Sequence, residues 1–86
     1  MNSYRLIVST PDGNVFDGQA VALIVRGTEG ELAILAGHIP FITAVKEGSC
    51  RIELPDETDK KAEIGGGILT VANDKTTLLC SKFEFI

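Results

Sequence analysis

The sequence has no tryptophan, and its aromatic residues are limited to one tyrosine and four phenylalanines among 86 residues. Long apolar runs are also missing: the longest is the segment 20–25, whereas a membrane-spanning helix needs about 20 apolar residues. The first ten residues do not have the charged-then-apolar layout of a secretory signal. We therefore expect a single domain with an aliphatic core, located in the cytoplasm and without a membrane span of its own.

Basic clusters are scarce in this chain. The net charge is −4, acidic and basic residues are interspersed, and the longest basic block is Lys60–Lys61. Proteins that bind nucleic acids usually carry a basic stripe together with exposed aromatic side chains, and neither feature is visible. The composition therefore argues against a nucleic-acid partner.

Cysteine occurs twice, at an apolar position of the alternating segment Cys50–Leu54 and at Cys80, which ends the apolar run 78–80. A zinc site needs more closely spaced cysteines and further ligands, so we expect no metal. The simplest interpretation is a pair of reduced, buried thiols that pack as small hydrophobic residues. A single disulfide between them stays open as the alternative.

Apolar and polar residues alternate with a period of two along most of the chain, as in Cys50–Leu54. Turn-forming Gly, Pro, Asn and Asp residues interrupt the alternation at intervals of about 8 to 12 residues, and no long helical period competes with it. The pattern predicts an all-β fold, an antiparallel ten-stranded β-sandwich, in which the strand at 20–26 is central because both its faces are apolar. The strands are expected near 4–9, 14–17, 20–26, 31–35, 41–45, 48–54, 61–64, 67–72, 76–80 and 82–86, with turns at 17–18 and 55–61.

The glycine triplet Gly65–Gly67 raises the question of a phosphate-binding loop. Such a loop needs a helix after it, whose N-terminal amides face the anion, whereas an apolar strand pattern follows this triplet. We therefore expect a bulge or a sharp bend where two backbones cross.

His38 is the only histidine and is a candidate base or ligand. A catalytic histidine needs an orienting partner and a nucleophile, and the sequence signals neither. We favour a residue that fixes its loop by hydrogen bonding or lies at an interface. A small hydrolase that uses His38 stays as an alternative, and it would lose activity on His38→Ala.

Glu29 and Glu31 form an acidic pair beside glycine-rich turn residues. They lack the aromatic platform expected near the carboxylates of a glycosidase. Two interpretations stay open from the residues alone: an exposed acidic tip without a partner, or a docking tip for a basic loop of another protein.

The segment Gly27–Val45 reads GTEGELAILAGHIPFITAV, a glycine-rich acidic turn followed by an apolar strand and a Gly-His loop. It resembles the N-terminal β-sandwich of the epsilon subunit of F-type ATP synthases. The resemblance continues in TPDGNVFDG at Thr10–Gly18 and in GGILTV at Gly66–Val71, followed by the strand at 77–79. It extends in order over nearly all 86 residues, which form one epsilon-like β-sandwich domain.

The resemblance implies a mechanical role. The sandwich would clamp the gamma subunit of the central stalk, sit on the polar loops of the c-ring and rotate with both, so that ion flow drives ATP synthesis. It implies a non-catalytic subunit without a cofactor, on the cytoplasmic side of a bacterial inner membrane and attached to it only through the complex. The partner-binding residues that it implies are Glu29, Glu31 and His38 at the c-ring loops, with Thr10 and Thr43 near the same end.

Two residues depart from the family pattern in the Gly-His loop. Ala36 stands where proline is usual and gives the loop more backbone freedom, and Ile39 replaces the common alanine with a larger side chain. Apolar contacts with gamma are expected to carry most of the affinity, but the alternation does not reveal which strand face makes them.

The sequence ends at Ile86, whereas typical members of the family continue into a helical hairpin. The resemblance assigns nucleotide binding and inhibition of ATP hydrolysis to that hairpin, so we expect neither from this chain, and we expect a naturally short form. The alternative function is a stand-alone β-sandwich adaptor or ligand-binding module, which would be monomeric and indifferent to ATP synthase subunits.

Overall fold

A computed structural model describes residues 2–86 and contains ten β-strands. No helix that could cross a membrane occurs in this part of the chain. The all-β, ten-stranded architecture is confirmed. The strands are β1 (Tyr4–Thr10), β2 (Gly13–Ala20), β3 (Ala22–Gly27), β4 (Gly30–Leu35), β5 (Phe41–Val45), β6 (Gly48–Glu53), β7 (Asp59–Ile64), β8 (Gly67–Val71), β9 (Thr76–Cys80) and β10 (Phe83–Phe85).

The strands form two layers around one interior. One layer has the order β4-β3-β6-β7-β10, and the other has the order β5-β8-β9-β1-β2. The two layers are joined at one corner, where β3 and β5 pair only through Gly27 and Val45. Away from this corner, side-chain packing holds the layers together, so the molecule is a β-sandwich.

Strands β1 and β9 depart from the antiparallel prediction. They pair in parallel, from Leu6 opposite Thr76 to Ser9 opposite Leu79, whereas the other eight strand pairings are antiparallel. A period-two sequence pattern is the same for both directions, and no tight turn connects β1 with β9 to set their relative direction. The sheet is therefore mixed, although most of it is antiparallel.

The interior is aliphatic, as the composition predicts. Strand β3 is central, and its side chains Leu23 and Val25 are 0% and 1% exposed. The Tyr4 hydroxyl donates to the Ile34 carbonyl oxygen at 2.7 Å and so links the two layers through a hydrogen bond. The largest fully buried side chains, which alternate along strands of both layers, are Leu6, Leu23, Ile34, Ile52, Leu69 and Leu78.

Strand β2 continues through the point where the sequence predicts a turn at Asp17–Gly18. The Asp17 carboxylate pairs with the guanidinium of Arg5 on β1 at 3.1 Å. The Phe16 ring covers Gly18, since a Cβ at that position would lie 3.6 Å from the ring. An aromatic neighbour thus makes a glycine tolerable within an edge strand. β7 also begins earlier than expected, which confines the polar turn to residues 55–58.

The segment Gly65–Gly67 crosses the chain between β9 and β10 at short range. The Gly65 N–H donates to the Lys82 carbonyl at 3.1 Å. A Cβ on Gly67 would lie only 2.8 Å from the Cα of Cys80. The predicted crossing of two backbones is confirmed, and a glycine is required at Gly67 because no side chain fits between its backbone and that of β9.

Cys50 and Cys80 are free thiols, 2% and 5% exposed in the shared core. Burial raises the pKa of Cys50 to about 12, and it also raises the pKa of Cys80. Both thiols therefore stay protonated near neutral pH, as the prediction of reduced, buried cysteines requires. Within residues 2–86, no group of three or more His, Cys, Asp or Glu side chains is placed to hold a metal ion.

Candidate functional site

The acidic pair lies at the tip of the β3–β4 hairpin. Gly27 pairs with Gly30, and a two-residue turn connects them, with Glu29 at the tip and Glu31 as the second residue of β4. Gly30 has φ +126°, a conformation that side-chain-bearing residues rarely adopt. Both glutamates are exposed, and no cation lies within 4.0 Å of either carboxylate in the described part of the chain. The hairpin therefore presents two carboxylates without a short ion pair.

His38 lies at the other end of β4, in the loop 36–40. Six strand residues separate that loop from the hairpin tip, a length of about 17 Å. The structure therefore does not bring His38 together with Glu29 and Glu31, although the resemblance groups the three residues. They lie instead along one exposed side of the molecule, near the two ends of β4.

The surroundings of His38 do not form a catalytic arrangement. Its Nδ1 lies 2.9 Å from the Ile39 carbonyl oxygen, and its ring packs against the Phe41 ring with centroids 4.8 Å apart. Among residues 2–86, neither a carboxylate nor a nucleophile is hydrogen-bonded to this imidazole. These contacts fit a residue that shapes its loop.

Thr10 and Thr43 occupy different parts of the second layer. Thr10 ends β1, and its hydroxyl oxygen accepts a hydrogen bond from the Asp12 N–H at 3.2 Å. Thr43 lies in the middle of β5, opposite the fully buried Leu69, and is half-buried. Thr10 lies at the same end of the sandwich as the hairpin tip, because a chain of cross-strand pairs connects them. These pairs are Ser9–Leu79, Cys80–Gly67, Gly67–Val45 and Val45–Gly27.

The outer surface of β5, β8 and β9, together with Ile7 of β1, is apolar and uncharged, and the sequence pattern does not reveal it. The paired charges of Arg5 and Asp17 lie at its edge. Ile42, Ile68 and Leu79 are 71%, 51% and 51% exposed. Cross-strand pairing places Ile68 beside both Ala44 and Leu79. We call this surface the neutral face; its members are Ile7, Ile42, Ala44, Ile68, Thr70, Thr77 and Leu79.

The opposite outer surface, on β4, β3, β6, β7 and β10, is rich in charge. Arg51 is paired with Glu53 at 3.0 Å and with Asp59 at 3.9 Å. A hollow of about 360 Å³ opens beside this cluster, where the pairing of β3 with β6 stops at Ile24. We call this surface the charged face; its charged members are Arg26, Glu31, Arg51, Glu53, Asp59, Lys61, Glu63 and Glu84.

Curated proteins that match this chain are named ATP synthase epsilon chains. The relative from Brevibacillus brevis is 34% identical over 84 residues, which are 98% of this chain and 64% of the relative. The relative from Wolbachia pipientis is 33% identical over 84 residues, with 98% of this chain and 74% of the relative covered. This chain thus spans about two thirds of the length of these relatives.

Solved structures with the same fold come from mitochondrial ATP synthases. A chain in the Euglena gracilis assembly of OSCP, F1 and c-ring superposes with a TM-score of 0.91 at 20% identity, covering 96% of this chain and 53% of that one. A chain in the Tetrahymena thermophila central stalk and c-ring superposes with a TM-score of 0.76 at 17% identity, covering 95% and 66%. At these identities the likeness supports the fold.

The family model described as the β-sandwich domain of the ATP synthase delta/epsilon chain matches residues 3–86. That range includes all ten strands, the acidic hairpin and the His38 loop. The chain therefore belongs to the ATP synthase delta/epsilon chain family.

Proposed function

We propose that this chain is a non-catalytic rotor subunit of an F-type ATP synthase, which links the gamma subunit to the c-ring so that ion flow drives ATP synthesis. The observation that carries the proposal is the match of residues 3–86 to the delta/epsilon family, whose relatives are named ATP synthase epsilon chains. The solved structures with the same fold are an assembly of OSCP, F1 and c-ring and a central stalk with its c-ring, in agreement with this role.

The neutral face is the surface that we assign to gamma. Its side chains Ile42, Ile68 and Leu79 are at least half exposed, so a partner that covers them removes apolar surface from water. Each is then worth about 1–2 kcal/mol, part of the value for burying a fully exposed side chain of this size. A central set of apolar contacts of this kind is typical of the residues that dominate binding energy.

The acidic hairpin is the surface that we assign to the polar loops of the c-ring. Glu29 and Glu31 are exposed at the tip, and Thr10 lies at the same end of the sandwich. An exposed pair between one of these carboxylates and a basic ring residue contributes only about 0–1 kcal/mol. The pair therefore sets orientation and partner choice more than affinity. His38 lies at the opposite end of β4 from the hairpin tip. It therefore shares the contact with the c-ring only in an orientation that places the whole length of β4 against the ring.

This assignment also gives the location of the chain. It is peripheral to the membrane, on the cytoplasmic side of a bacterial inner membrane, and is held there through gamma and the ring. A role in catalysis is not part of the proposal, since the imidazole of His38 bonds only its own loop among the described residues.

Size-exclusion chromatography of this chain mixed with the gamma subunit of the same ATP synthase tests the proposal. We expect a 1:1 complex, and we expect Ile68→Asp to weaken it at least tenfold, because the charge would be buried against gamma. Ser49→Asp is the matched control: it adds one negative charge at an exposed position of the charged face and leaves the complex intact.

Separate elution of the two folded wild-type proteins would contradict the rotor assignment and favour a stand-alone adaptor. Equal weakening by Ile68→Asp and Ser49→Asp would instead contradict the assignment of gamma to the neutral face. Circular dichroism of both variants establishes that each retains the β-sandwich.

A further inference from the structure

Strand β4 has one paired edge and one free edge. A two-residue turn makes Gly27–Gly30 a hydrogen-bonded pair, and such pairs alternate along an antiparallel ladder with pairs that do not bond to each other. Glu31, Ala33 and Leu35 belong to the second kind. Their backbone N–H and C=O groups therefore point away from β3, along the outer edge of β4.

Most of these outward groups have no protein partner. Among residues 2–86, the one backbone bond on this edge is at its end, where the Leu35 carbonyl accepts from the His38 N–H at 3.3 Å. Glu31 and Ala33 make none on this side, and both residues are exposed. A row of exposed, unpaired backbone groups is a ready template for a further strand.

Of the other three edge strands, β5 follows Pro40 and is held against β3 at its end through Val45, and β2 and β10 are protected by features that β4 lacks. Along β2 the register with β1 shifts between Val8 and Ser9, and an irregularity of this kind hinders regular pairing. β10 has only three residues. β4 has six residues in unbroken register with β3, and it contains neither lysine nor proline. An edge without these protections is suited to accept a strand.

The side chains along β4 define what would fit there. Leu32 and Ile34 face the interior, whereas Glu31, Ala33 and Leu35 lie on the charged face. Leu35 is 55% exposed. Arg26 stands opposite Glu31 on β3, but its guanidinium lies beside Gly48, and the Glu31 carboxylate has no cation within 4.0 Å among the described residues. A complementary strand therefore carries a cation beside Glu31 and apolar side chains beside the other two positions.

We propose that β4 receives an extended segment of another protein as an added strand, with Lys or Arg beside Glu31 and apolar side chains beside Ala33 and Leu35. In antiparallel register the segment reads apolar-x-apolar-x-basic, and in parallel register it reads in reverse. The β4 strand of a second copy of this chain fits less well, because it carries no Lys or Arg to place beside Glu31 of the first copy. The proposal goes beyond the rotor role and does not depend on it.

The test is a titration of the ¹⁵N-labelled chain with the capped heptapeptide Thr-Val-Thr-Ile-Thr-Lys-Thr, followed by NMR. We expect the amide signals of Glu31, Ala33 and Leu35 to shift and the hydrogen exchange of Ala33 to slow. Methylation of the peptide nitrogen at the central Ile removes a donor that faces β4, so binding should weaken at least tenfold. Methylation at a neighbouring Thr, whose N–H faces away, is the matched control and should have little effect.

An Ala33→Pro variant tests the same edge by a change in the protein instead of a change in the peptide. Proline removes the outward N–H without removing a bond to β3, and edge strands tolerate it at such positions. We expect the variant to keep its melting temperature within a few degrees and to lose peptide binding, whereas Ala33→Ser keeps both. If Ala33→Pro does not fold, the comparison of the two methylated peptides decides.

Three results would overturn the proposal. The first is a peptide that leaves the β4 amides unchanged, and the second is equal binding by the two methylated peptides, which would indicate side-chain docking without strand addition. The third is a dimer of the free chain with protected β4 amides in sedimentation and exchange measurements, which would assign the edge to a second copy. Co-elution with gamma is independent of all three, so the rotor assignment can stand if this proposal fails.

Discussion

The neutral face and the charged face are built from strands of similar length around the same aliphatic interior, yet their outer positions differ. On the neutral face, Ile42, Ile68 and Leu79 leave half or more of their surface in water. On the charged face, comparable outward positions hold residues such as Arg51 and Lys61. Since both layers bury their inner positions equally well, folding alone does not require this difference. This difference is the reason that we assign gamma to the neutral face and leave the charged face to water or a polar partner.

The substitution with the largest expected effect tests whether the layer that carries the neutral face is firmly packed. We expect Gly67→Ala to lower the free energy of unfolding by about 3 kcal/mol, because the new Cβ would lie 2.8 Å from the Cα of Cys80 and would force β8 and β9 apart. Urea unfolding followed by circular dichroism measures the change.

Gly66→Ala is the matched control for this substitution. Its Cβ would lie 3.4 Å from the Val45 carbonyl oxygen, a contact that a small shift relieves, so we expect a loss of about 1 kcal/mol or less. Equal losses in the two variants would mean that the close approach of β8 and β9 is not what holds this layer together.

A second prediction concerns the thiols where the two layers meet. Burial raises the pKa of Cys50 from its ordinary value of 9.0 to about 12, so the folded protein keeps a proton that the unfolded chain releases. The contribution of this thiol to stability is therefore complete below pH 9 and is lost as the pH rises from 9 towards 12. We expect the urea midpoint to fall over this range.

Cys50→Val separates the thiol from other groups that titrate in the same range. Valine is similar in size and does not ionise, so the midpoint of this variant should fall less steeply above pH 9. Tyr4 and Cys80 keep part of the slope, since burial raises the pKa of each. A variant with the full slope would rule out Cys50 as a source of the pH dependence.

The smallest expected effect lies on the charged face. Arg51 pairs with Glu53 and Asp59, but these side chains are 37–46% exposed. We expect Arg51→Ala to cost about 0–1 kcal/mol of unfolding free energy, and less at high salt. A loss of about 2 kcal/mol or more that is insensitive to salt would mean that the charges stabilise this layer as packing does, which would remove the contrast between the two faces.

The sequence predicts the sandwich well because alternation and turn residues are local signals. The central position of β3 follows from a run that is apolar on both faces, and pairing of β3 with β4 on one side and β6 on the other confirms it. The course of β2 through Gly18 was missed, because the ring that covers this glycine is visible only once the strand has formed. The parallel pairing of β1 with β9 was missed because direction leaves no mark on a period-two pattern.

The candidate site was predictable in part. The acidic hairpin follows from glycines around Glu29 and Glu31, and it forms where the sequence places it. To predict the distance from the hairpin to His38, one has to know that the residues between them form one continuous strand. To predict the neutral face, one has to know which residues are cross-strand neighbours, because Ile68 becomes part of an apolar surface only when strand pairing places it beside Leu79.

The parallel pairing of β1 with β9 has a consequence for how the chain folds. Val8 cannot pair with Leu78 until that residue, 70 positions later in the chain, has been synthesised. At a synthesis rate of about 5–20 residues per second, the interval is roughly 4–14 s. During that time the β1–β2 hairpin has an unpaired edge along β1. The pairing of β1 with β9 then has to close a long loop, and such non-local pairing makes the folding of β proteins slow. The nascent chain of this protein is therefore open to mispairing until β9 has left the ribosome.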